Sequence, residues 1–217
     1  ERVGGLGGSP LLRTELGAAI AARDLTDPGL YSLVEVLAPT LIDHAKPGLA
    51  AEVVPRLLSG AEMWCQGFSE PSTGSDLASL RCRAVPQGDA RTAPRWLING
   101  QKVWTSLAQY SKRCVLLTRT GPADSRHRGI TAFFVDMDTP GIRVAPLEMI
   151  NGVREFAEVF FDDVVVPADR MLGELDGGWA VAMSILPYER SSCFWQRIAY
   201  LYRRLQLLVD AVPHDDR

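Results

Sequence analysis

The middle of the chain, from Met63 to Pro167, consists of short runs rich in Val, Ile, Phe, Trp and Thr with turn residues between them. The runs are "RWLINGQKVW", "CVLLTRT", "GITAFFVDM", "GIRVAPLEM" and "FAEVFFDDVVVP". β-Branched and aromatic residues in runs this short are typical of strands, and the segments between them are too short for helices. The sequence therefore predicts an antiparallel β-barrel or sandwich in this part of the chain.

The dipeptide Asn99-Gly100 lies in the middle of the first run. A type I′ turn needs a positive φ at both central residues, and Asn followed by Gly tolerates this well. We therefore predict a two-residue β-hairpin at Asn99-Gly100.

Helical periodicity flanks the β-rich region on both sides. Before it, apolar residues recur at helical spacing in three segments, which are separated at Asp27-Pro28-Gly29 and Lys46-Pro47-Gly48. After the sequence "LGELDGGW" a long helix is expected, and Pro187 should kink it or delay its start. The predicted fold class is α+β, with an N-terminal helical domain over 1–62, a middle β-domain over 63–172 and the start of a C-terminal helical domain over 173–217.

The balance of charge limits the partners. Twenty-three Lys and Arg residues face 26 Asp and Glu residues, so the formal net charge is −3 and no basic stripe is available for nucleic acid. The sequence contains neither a signal peptide nor an apolar run near the roughly 18 to 20 residues that cross a bilayer, which predicts no membrane span and a cytoplasmic location. Because the chain begins at Glu1 without a methionine, it is expected to be a fragment or to lack its true N-terminus.

The cysteines and histidines are dispersed along the chain. No two cysteines form a CxxC pair and no histidine lies beside another type of metal ligand, so we predict buried thiols and no metal site. These residues are Cys65, Cys82, Cys114, Cys193, His44, His127 and His214.

The segment "FSEPSTGSD", Phe68 to Asp76, is the first candidate binding loop. Its hydroxyls and small residues can aim successive backbone N–H groups at one point and so bind an anion or an electron-rich ligand edge. The alternative is an ordinary surface loop whose Ser and Asp side chains bond their own backbone. Composition alone leaves both interpretations open.

Two other segments contain candidate functional residues. In "KVWTS", Trp104 could stack on a planar ligand and Ser106 could bond its edge, or Trp104 could be a core residue. In "YERSS", Glu189 beside Arg190 could be a base tuned by burial or an ion-paired surface acid. The glycine-rich segment "GGLGGS" lacks the end of a phosphate-binding loop and is interpreted as a flexible entry loop.

Taken in order, the motifs resemble one known family. A helical block followed by "FSEPSTGSD", "INGQKVWTS", "FFVDMDTPGI", "EVFFDDVVVPADRMLGE", "GGW" and "ER" is similar to the acyl-CoA dehydrogenase family over nearly the whole chain. The resemblance implies an oxidoreductase that binds FAD between a middle β-barrel and a C-terminal helical bundle. It also implies an acyl-CoA-type thioester substrate, an electron acceptor like electron-transfer flavoprotein, and a homodimer or homotetramer.

The resemblance also implies roles for the first candidate loop. Gln66, Phe68 and Ser69 are expected to line the pyrimidine side of the flavin ring. Gly74 and Ser75 are expected to approach the cofactor phosphates or the thioester, which makes Ser75 a predicted substrate contact as well.

The second candidate segment is expected to contact the flavin ring itself. Trp104 would cover one ring face and Ser106 would reach the N5 edge, with Thr105 between them in the same cofactor-binding segment. Arg190 matches an arginine that lies near the substrate pocket in the family.

Glu189 is the candidate catalytic base. By the family's chemistry a carboxylate removes the α proton of the thioester while the β hydrogen leaves as a hydride to flavin N5, which gives the enoyl thioester. A minority of relatives carry the carboxylate at the position of Glu189, and most carry it in a part of the bundle beyond residue 217.

Two alternatives to a dehydrogenase keep the same fold. Oxygen could react with the reduced flavin, as in an oxidase or a monooxygenase. The chain could instead be a truncated, non-catalytic subunit that a partner chain completes.

Overall fold

The computed structural model describes residues 7–23, 29–190 and 192–212. Its helices are α1 (Pro10–Ala22), α2 (Gly29–His44), α3 (Pro47–Leu58), α4 (Gly178–Arg190) and α5 (Ser192–Ala211). Its strands are β1 (Trp64–Gly67), β2 (Arg83–Pro86), β3 (Arg95–Ser106), β4 (Arg113–Arg119), β5 (Ile130–Asp136), β6 (Ile142–Leu147), β7 (Phe156–Pro167) and β8 (Met171–Leu172). The predicted α+β class, with helices on both sides of a β-rich region, is confirmed.

Helical segments follow the β-rich region, as expected after "LGELDGGW". They are α4 and α5, on either side of position 191, which lies outside the described residues, and Pro187 lies inside α4 without delaying its start. The first predicted break lies partly outside the described residues, at Asp27-Pro28. His214 also lies outside them. The second break, at Lys46-Pro47-Gly48, is present, because α3 starts with Pro47 in its first turn.

The described strands form one mixed sheet in the order β6-β7-β3-β2-β4-β5-β8, with β1 also paired to β4. Most neighbours are antiparallel, but β1 pairs with β4 in parallel along Arg113–Leu116, and β2 pairs with it in parallel at Arg119. The sheet formed by the described strands is open, so it is not the closed barrel that was one of the two predicted architectures.

The two faces of the sheet support two hydrophobic clusters, because strand side chains alternate between faces. On one face Trp64, Val115 and Phe134 pack with apolar residues of α2, α3 and α4. On the other face Cys65 and Phe133 pack with residues of β2, β3 and β7. The central strands β4 and β5 are therefore covered on both sides, which matches their nearly continuous apolar sequences.

The predicted hairpin at Asn99-Gly100 is wrong, because β3 runs straight through these residues. The side chain of Asn99 instead bonds Asp163 on β7: its Nδ2 donates to Asp163 Oδ1 at 2.9 Å, and its Oδ1 accepts from Asp163 N at 2.9 Å. Asp163 has a φ of 49° and is part of a β-bulge that shifts the β3–β7 register. Asn99 thus stabilises a bulge in the neighbouring strand rather than a turn in its own.

Gly100 is required by a close approach of two strands. A Cβ atom at this position would lie 2.6 Å from Cα of Cys82, and its φ is +149°. Both observations favour glycine, because other residues avoid this φ and need space that the backbone of Cys82 occupies.

Three cysteines are free and buried, as predicted: Cys65, Cys82 and Cys114. Burial raises the pKa of the Cys82 thiol to about 11, so it stays protonated at neutral pH. The side chain of Cys193 is outside the described set. Within the described ranges, each helix is too short or too polar to cross a membrane.

Replacing Gly100 with alanine should destabilise the protein by at least about 2 kcal/mol, because the new Cβ collides with backbone and the φ becomes strained. Gly48, in the first turn of α3, is the matched control, since a Cβ there has nothing within 4 Å. Gly48→Ala should be neutral or stabilising by up to about 1 kcal/mol. Urea unfolding of both variants measures the difference, and equal stabilities would contradict the close approach of β2 and β3.

Candidate functional site

The loop Phe68–Asp76 follows β1 directly and is closed by a tight turn. Glu70 N donates to Thr73 O at 2.8 Å, and Thr73 N donates to Glu70 O at 3.0 Å. These reciprocal bonds fix Pro71 and Ser72 at the exposed tip of the turn. Gln66 on β1 and Phe68 and Ser69 before the turn are half-buried.

A buried ion pair anchors this loop to β3. Lys102 is completely buried, and its Nζ donates to Glu70 Oε1 at 2.8 Å and to the carbonyl oxygen of Phe68 at 3.1 Å. Glu70, only 6 % exposed, also accepts from the backbone N–H groups of Cys82 at 2.8 Å and Arg81 at 2.7 Å. The Glu70 carboxylate therefore joins the loop to β3, through Lys102, and to the return segment, which is residues 77–82 between the loop and β2.

A second β-bulge turns Trp104 outward at the end of β3. Between the pairs Lys102–Val159 and Thr105–Ala157, β3 has one residue more than β7. A single extra residue inverts which side chains face inward, so Lys102 and Thr105 are both buried while Trp104 is 58 % exposed.

Trp104 is held in a strained conformation. Its φ is 58°, in the left-handed region that large side chains rarely adopt. Its ring meets Phe156 edge to face at a centroid distance of 5.9 Å. The chain then turns at Leu107, whose φ is 55° and whose N–H donates to Glu155 O at 2.7 Å.

One backbone hydrogen bond brings the two candidate segments together. Val103 N donates to Ser69 O at 2.9 Å, which places the half-buried Ser69 next to the bulge that carries Trp104. Ser106, also half-buried, pairs with Phe156 just beyond the bulge. Six of the eight predicted cofactor contacts thus belong to two segments that meet: Gln66, Phe68, Ser69, Trp104, Thr105 and Ser106.

The other two predicted contacts, Gly74 and Ser75, lie exposed beyond the turn. A Cβ at Gly74 would meet nothing within 4 Å, so the packing of the protein itself does not require glycine there. Asp76, the next residue, accepts from Ser79 and pairs with Arg126 at 2.7 Å. The hydrogen bond from Ser79, assisted by Arg126, lowers the pKa of the Asp76 carboxyl.

Sequence reasoning missed Arg119, which supports the return segment of the loop. Its guanidinium is buried and donates to the carbonyls of Ala78 at 2.6 Å, Leu80 at 3.2 Å and Arg126. Burial lowers its pKa from the ordinary arginine value, although the group stays charged. An arginine inside the apolar run "CVLLTRT" was the available signal, because a buried cation needs several acceptors.

Lys102 and Glu70 were also missed as a pair. Each stands in a motif that the sequence analysis singled out, but they are 32 residues apart. A signal was available in the sequence. Lys102 is an even number of residues from Trp96 and Ile98 on β3, so its side chain faces the same buried side of the strand, where an apolar residue is expected.

Glu189 and Arg190 occupy the last turn of α4, and both side chains are exposed. The hydrogen bonds and ion pairs of the described residues do not connect either of them to the loop Phe68–Asp76 or to the end of β3. Six of the eight predicted cofactor contacts lie in two segments that a backbone hydrogen bond joins.

The junction of the loop and β3 suits a planar ligand with polar edges better than a metal ion. Trp104 offers an exposed aromatic face, and the hydroxyl of Thr105, 1 % exposed, lacks a hydrogen-bond partner among the described residues. Gly74 leaves open space in which backbone can be approached closely. In the described part of the chain, no three His, Cys, Asp or Glu side chains converge on a point where a metal could bind.

Comparisons with known proteins relate this chain to acyl-CoA dehydrogenases. The family model "Acyl-CoA dehydrogenase, middle domain" matches residues 65–164. Acyl-CoA dehydrogenase IpdE1 of Mycobacterium tuberculosis is 42 % identical over 211 residues, which are 97 % of this chain and 53 % of that protein. The chain thus spans about half the length of this curated relative.

Two solved structures share the fold. The Tcur3481-Tcur3483 steroid ACAD superposes with a TM-score of 0.81 at 29 % identity, covering 96 % of this chain and 51 % of that one. The ChsE4-ChsE5 complex of Mycobacterium tuberculosis superposes with a TM-score of 0.74 at 31 % identity, covering 87 % of this chain and 47 % of that one.

The anchoring role of the Lys102–Glu70 ion pair can be tested by removing first one of its charges and then both. Lys102→Met should cost about 3 to 5 kcal/mol, because it leaves the Glu70 carboxylate buried without a cation. Lys102→Met combined with Glu70→Gln should recover at least half of that loss. Urea unfolding of both variants measures the coupling.

The matched control is the exposed pair Arg154–Glu148, whose side chains are both 62 % exposed. Arg154→Met should change stability by less than about 1 kcal/mol. A Lys102→Met variant as stable as this control would show that the loop does not depend on the buried pair.

Proposed function

This chain belongs to the acyl-CoA dehydrogenase family, and on that premise we propose that its protein uses FAD to convert an acyl-CoA-type thioester into the enoyl thioester. The observation that carries the proposal is the bond from Val103 N to Ser69 O. It joins the loop Phe68–Asp76 to the bulge that exposes Trp104, and so assembles an aromatic face beside two hydroxyl-bearing residues, Ser69 and Ser106.

The residues at this junction fit FAD. We assign the pyrimidine side of the ring to Gln66, Phe68 and Ser69, one ring face to Trp104 and the N5 edge to Ser106. Thr105 supplies a hydroxyl that lacks a partner among the described residues, and Gly74 and Ser75 supply space and donors for phosphate oxygens. When bound, FAD supplies the hydride acceptor that no side chain can provide.

The chemistry required of the chain itself is proton transfer and orientation. We propose that the Glu189 carboxylate removes the α proton of the thioester and that Arg190 orients substrate or carboxylate by charge. Glu189 is exposed in the last turn of α4, so its proposed task requires substrate to cover that helix end. The hydroxyls of Ser69 and Ser106 donate without crowding the ring.

The assembled protein is proposed to contain more than one polypeptide. Two observations support this: one neighbour is a complex of two different proteins, and apolar side chains lie on the outside of α1 and α5. The exposed residues include Leu11, Leu12, Leu16, Leu201, Leu205 and Leu208. An acceptor like electron-transfer flavoprotein is proposed to take the electrons from reduced FAD.

The proposed function is tested by the visible spectrum and the activity of the full-length protein, alone and with the chain that copurifies with it. We expect a flavin spectrum and reduction of an artificial electron acceptor in the presence of an acyl-CoA. Because one neighbour is a steroid acyl-CoA dehydrogenase, the panel should include ring-bearing as well as straight-chain acyl-CoAs. A colourless protein without activity would contradict the proposal, and fast reoxidation by oxygen would indicate an oxidase.

Glu189→Gln should lower kcat by two to four powers of ten without loss of bound flavin, as expected when a general base is removed. Asp169→Asn, at an exposed acid outside the site, is the control and should leave kcat unchanged. If Glu189→Gln keeps full activity, the proton is removed by another group.

A further inference from the structure

The peptide between Phe68 and Ser69 is held from one side by a buried cation. Lys102 Nζ donates to the carbonyl oxygen of this peptide at 3.1 Å, and Lys102 itself is completely buried. The next carbonyl, that of Ser69, accepts from Val103 N at 2.9 Å. The orientation of the peptide is therefore fixed by two contacts with β3.

This orientation determines where the N–H group of Ser69 points. The described peptide bonds are all trans, so the N–H and C=O of one peptide point in opposite directions. The Ser69 N–H thus faces away from Lys102. The Ser69 N–H has no hydrogen-bond acceptor within the described part of the chain. Because Ser69 is half-buried, this N–H is open to a ligand or to water.

The charge distribution favours a negatively charged partner for that N–H. The ammonium of Lys102 contacts the Phe68 carbonyl directly, whereas the Glu70 carboxylate is directed at the N–H groups of Arg81 and Cys82. The ion pair is therefore a dipole with its positive end on the Phe68–Ser69 peptide. A cation on the carbonyl polarises the peptide and strengthens the N–H as a donor.

Stability alone does not explain a charged pair at this place. A buried ion pair can often be replaced by apolar side chains with no loss of stability, because desolvation of the charges offsets their attraction. What apolar side chains cannot do is donate to the Phe68 carbonyl and so select one orientation of the peptide.

Building on the FAD-dependent function proposed above, we propose that Lys102 is a positioning residue. It orients and polarises the Phe68–Ser69 peptide so that the Ser69 N–H donates to the pyrimidine edge of FAD. With FAD bound, transfer of a hydride, which is one proton and two electrons, would add one negative charge to the ring. A polarised donor at the pyrimidine edge would then bind the reduced ring better than the oxidised one and would favour electron transfer from substrate.

The first test uses the unmodified full-length protein stripped of FAD and then reconstituted. Hydrogen exchange at the Ser69 amide, followed by NMR, should be fast without FAD and at least tenfold slower with it. The amides of Arg81 and Cys82, which already have acceptors, should change by less than twofold. An unprotected Ser69 amide in the FAD-bound protein would overturn the inference.

The second test compares two double variants by dye-coupled titration of the bound flavin. Lys102→Met with Glu70→Gln should raise the dissociation constant of FAD about tenfold. It should also shift the midpoint potential of the flavin by about −30 mV, which is a tenfold change in a two-electron equilibrium. Arg113→Met with Glu62→Gln removes another largely buried pair, with side chains 11 % and 12 % exposed, and should leave the potential unchanged.

The two variants separate positioning from a general loss of stability. Equal potentials in both double variants, with FAD bound, would overturn the inference. If the Lys102 variant fails to fold, the exchange measurement on the unmodified protein decides. A full-length protein that binds no FAD would refute the proposed function itself, whereas bound FAD with an unprotected Ser69 amide would refute only the role of Lys102.

Discussion

The Lys102–Glu70 ion pair is the contact on which the geometry of the candidate site depends. Most residues of the loop Phe68–Asp76 are small or polar, so burial of apolar surface contributes little to fixing it beyond the packing of Phe68. The pair adds four charge-assisted hydrogen bonds that connect Phe68 and Glu70 to β3 and to the backbone of Arg81 and Cys82. Because β3 also carries Trp104, the same contact determines where the loop lies relative to the indole.

The sequence predicted those features that depend on neighbouring residues. The β-rich runs became β4, β5, β6 and β7, because Val, Ile and Phe at strand spacing bury well on a pleated sheet. Asn99-Gly100 misled for a physical reason: a bulge in β7 and the close approach of Cys82 need the same two residue types as a hairpin turn. Local pattern alone does not distinguish these uses, since the decisive partner, Asp163, is 64 residues away.

In the candidate site, too, the features set by neighbouring residues were predicted and those set by distant partners were not. The motifs singled out the loop Phe68–Asp76 and the segment around Trp104 as two polar or aromatic interruptions of apolar runs. Their meeting through Val103 and Ser69 depends on a register shift between β3 and β7, which arises from tertiary pairing and leaves no composition signal. For the same reason Arg119 and Lys102 were identified only in the folded structure: Arg119 bonds Ala78 and Leu80, about 40 residues before it, and Lys102 bonds Glu70, 32 residues before it.

The bulge on β3 has a cost that the protein alone does not recover. A tryptophan with a φ of 58° is strained by about 1 to 3 kcal/mol, and leaving 58 % of it exposed forfeits much of the stabilisation that a buried indole gives. The bonds of Val103 and Leu107 to Ser69 and Glu155 hold the bulge in place despite this cost. A planar ligand that covers the indole binds only the folded protein, so it stabilises the fold by mass action. If FAD covers the indole as proposed, its binding would offset part of the cost of the backbone conformation that exposes Trp104.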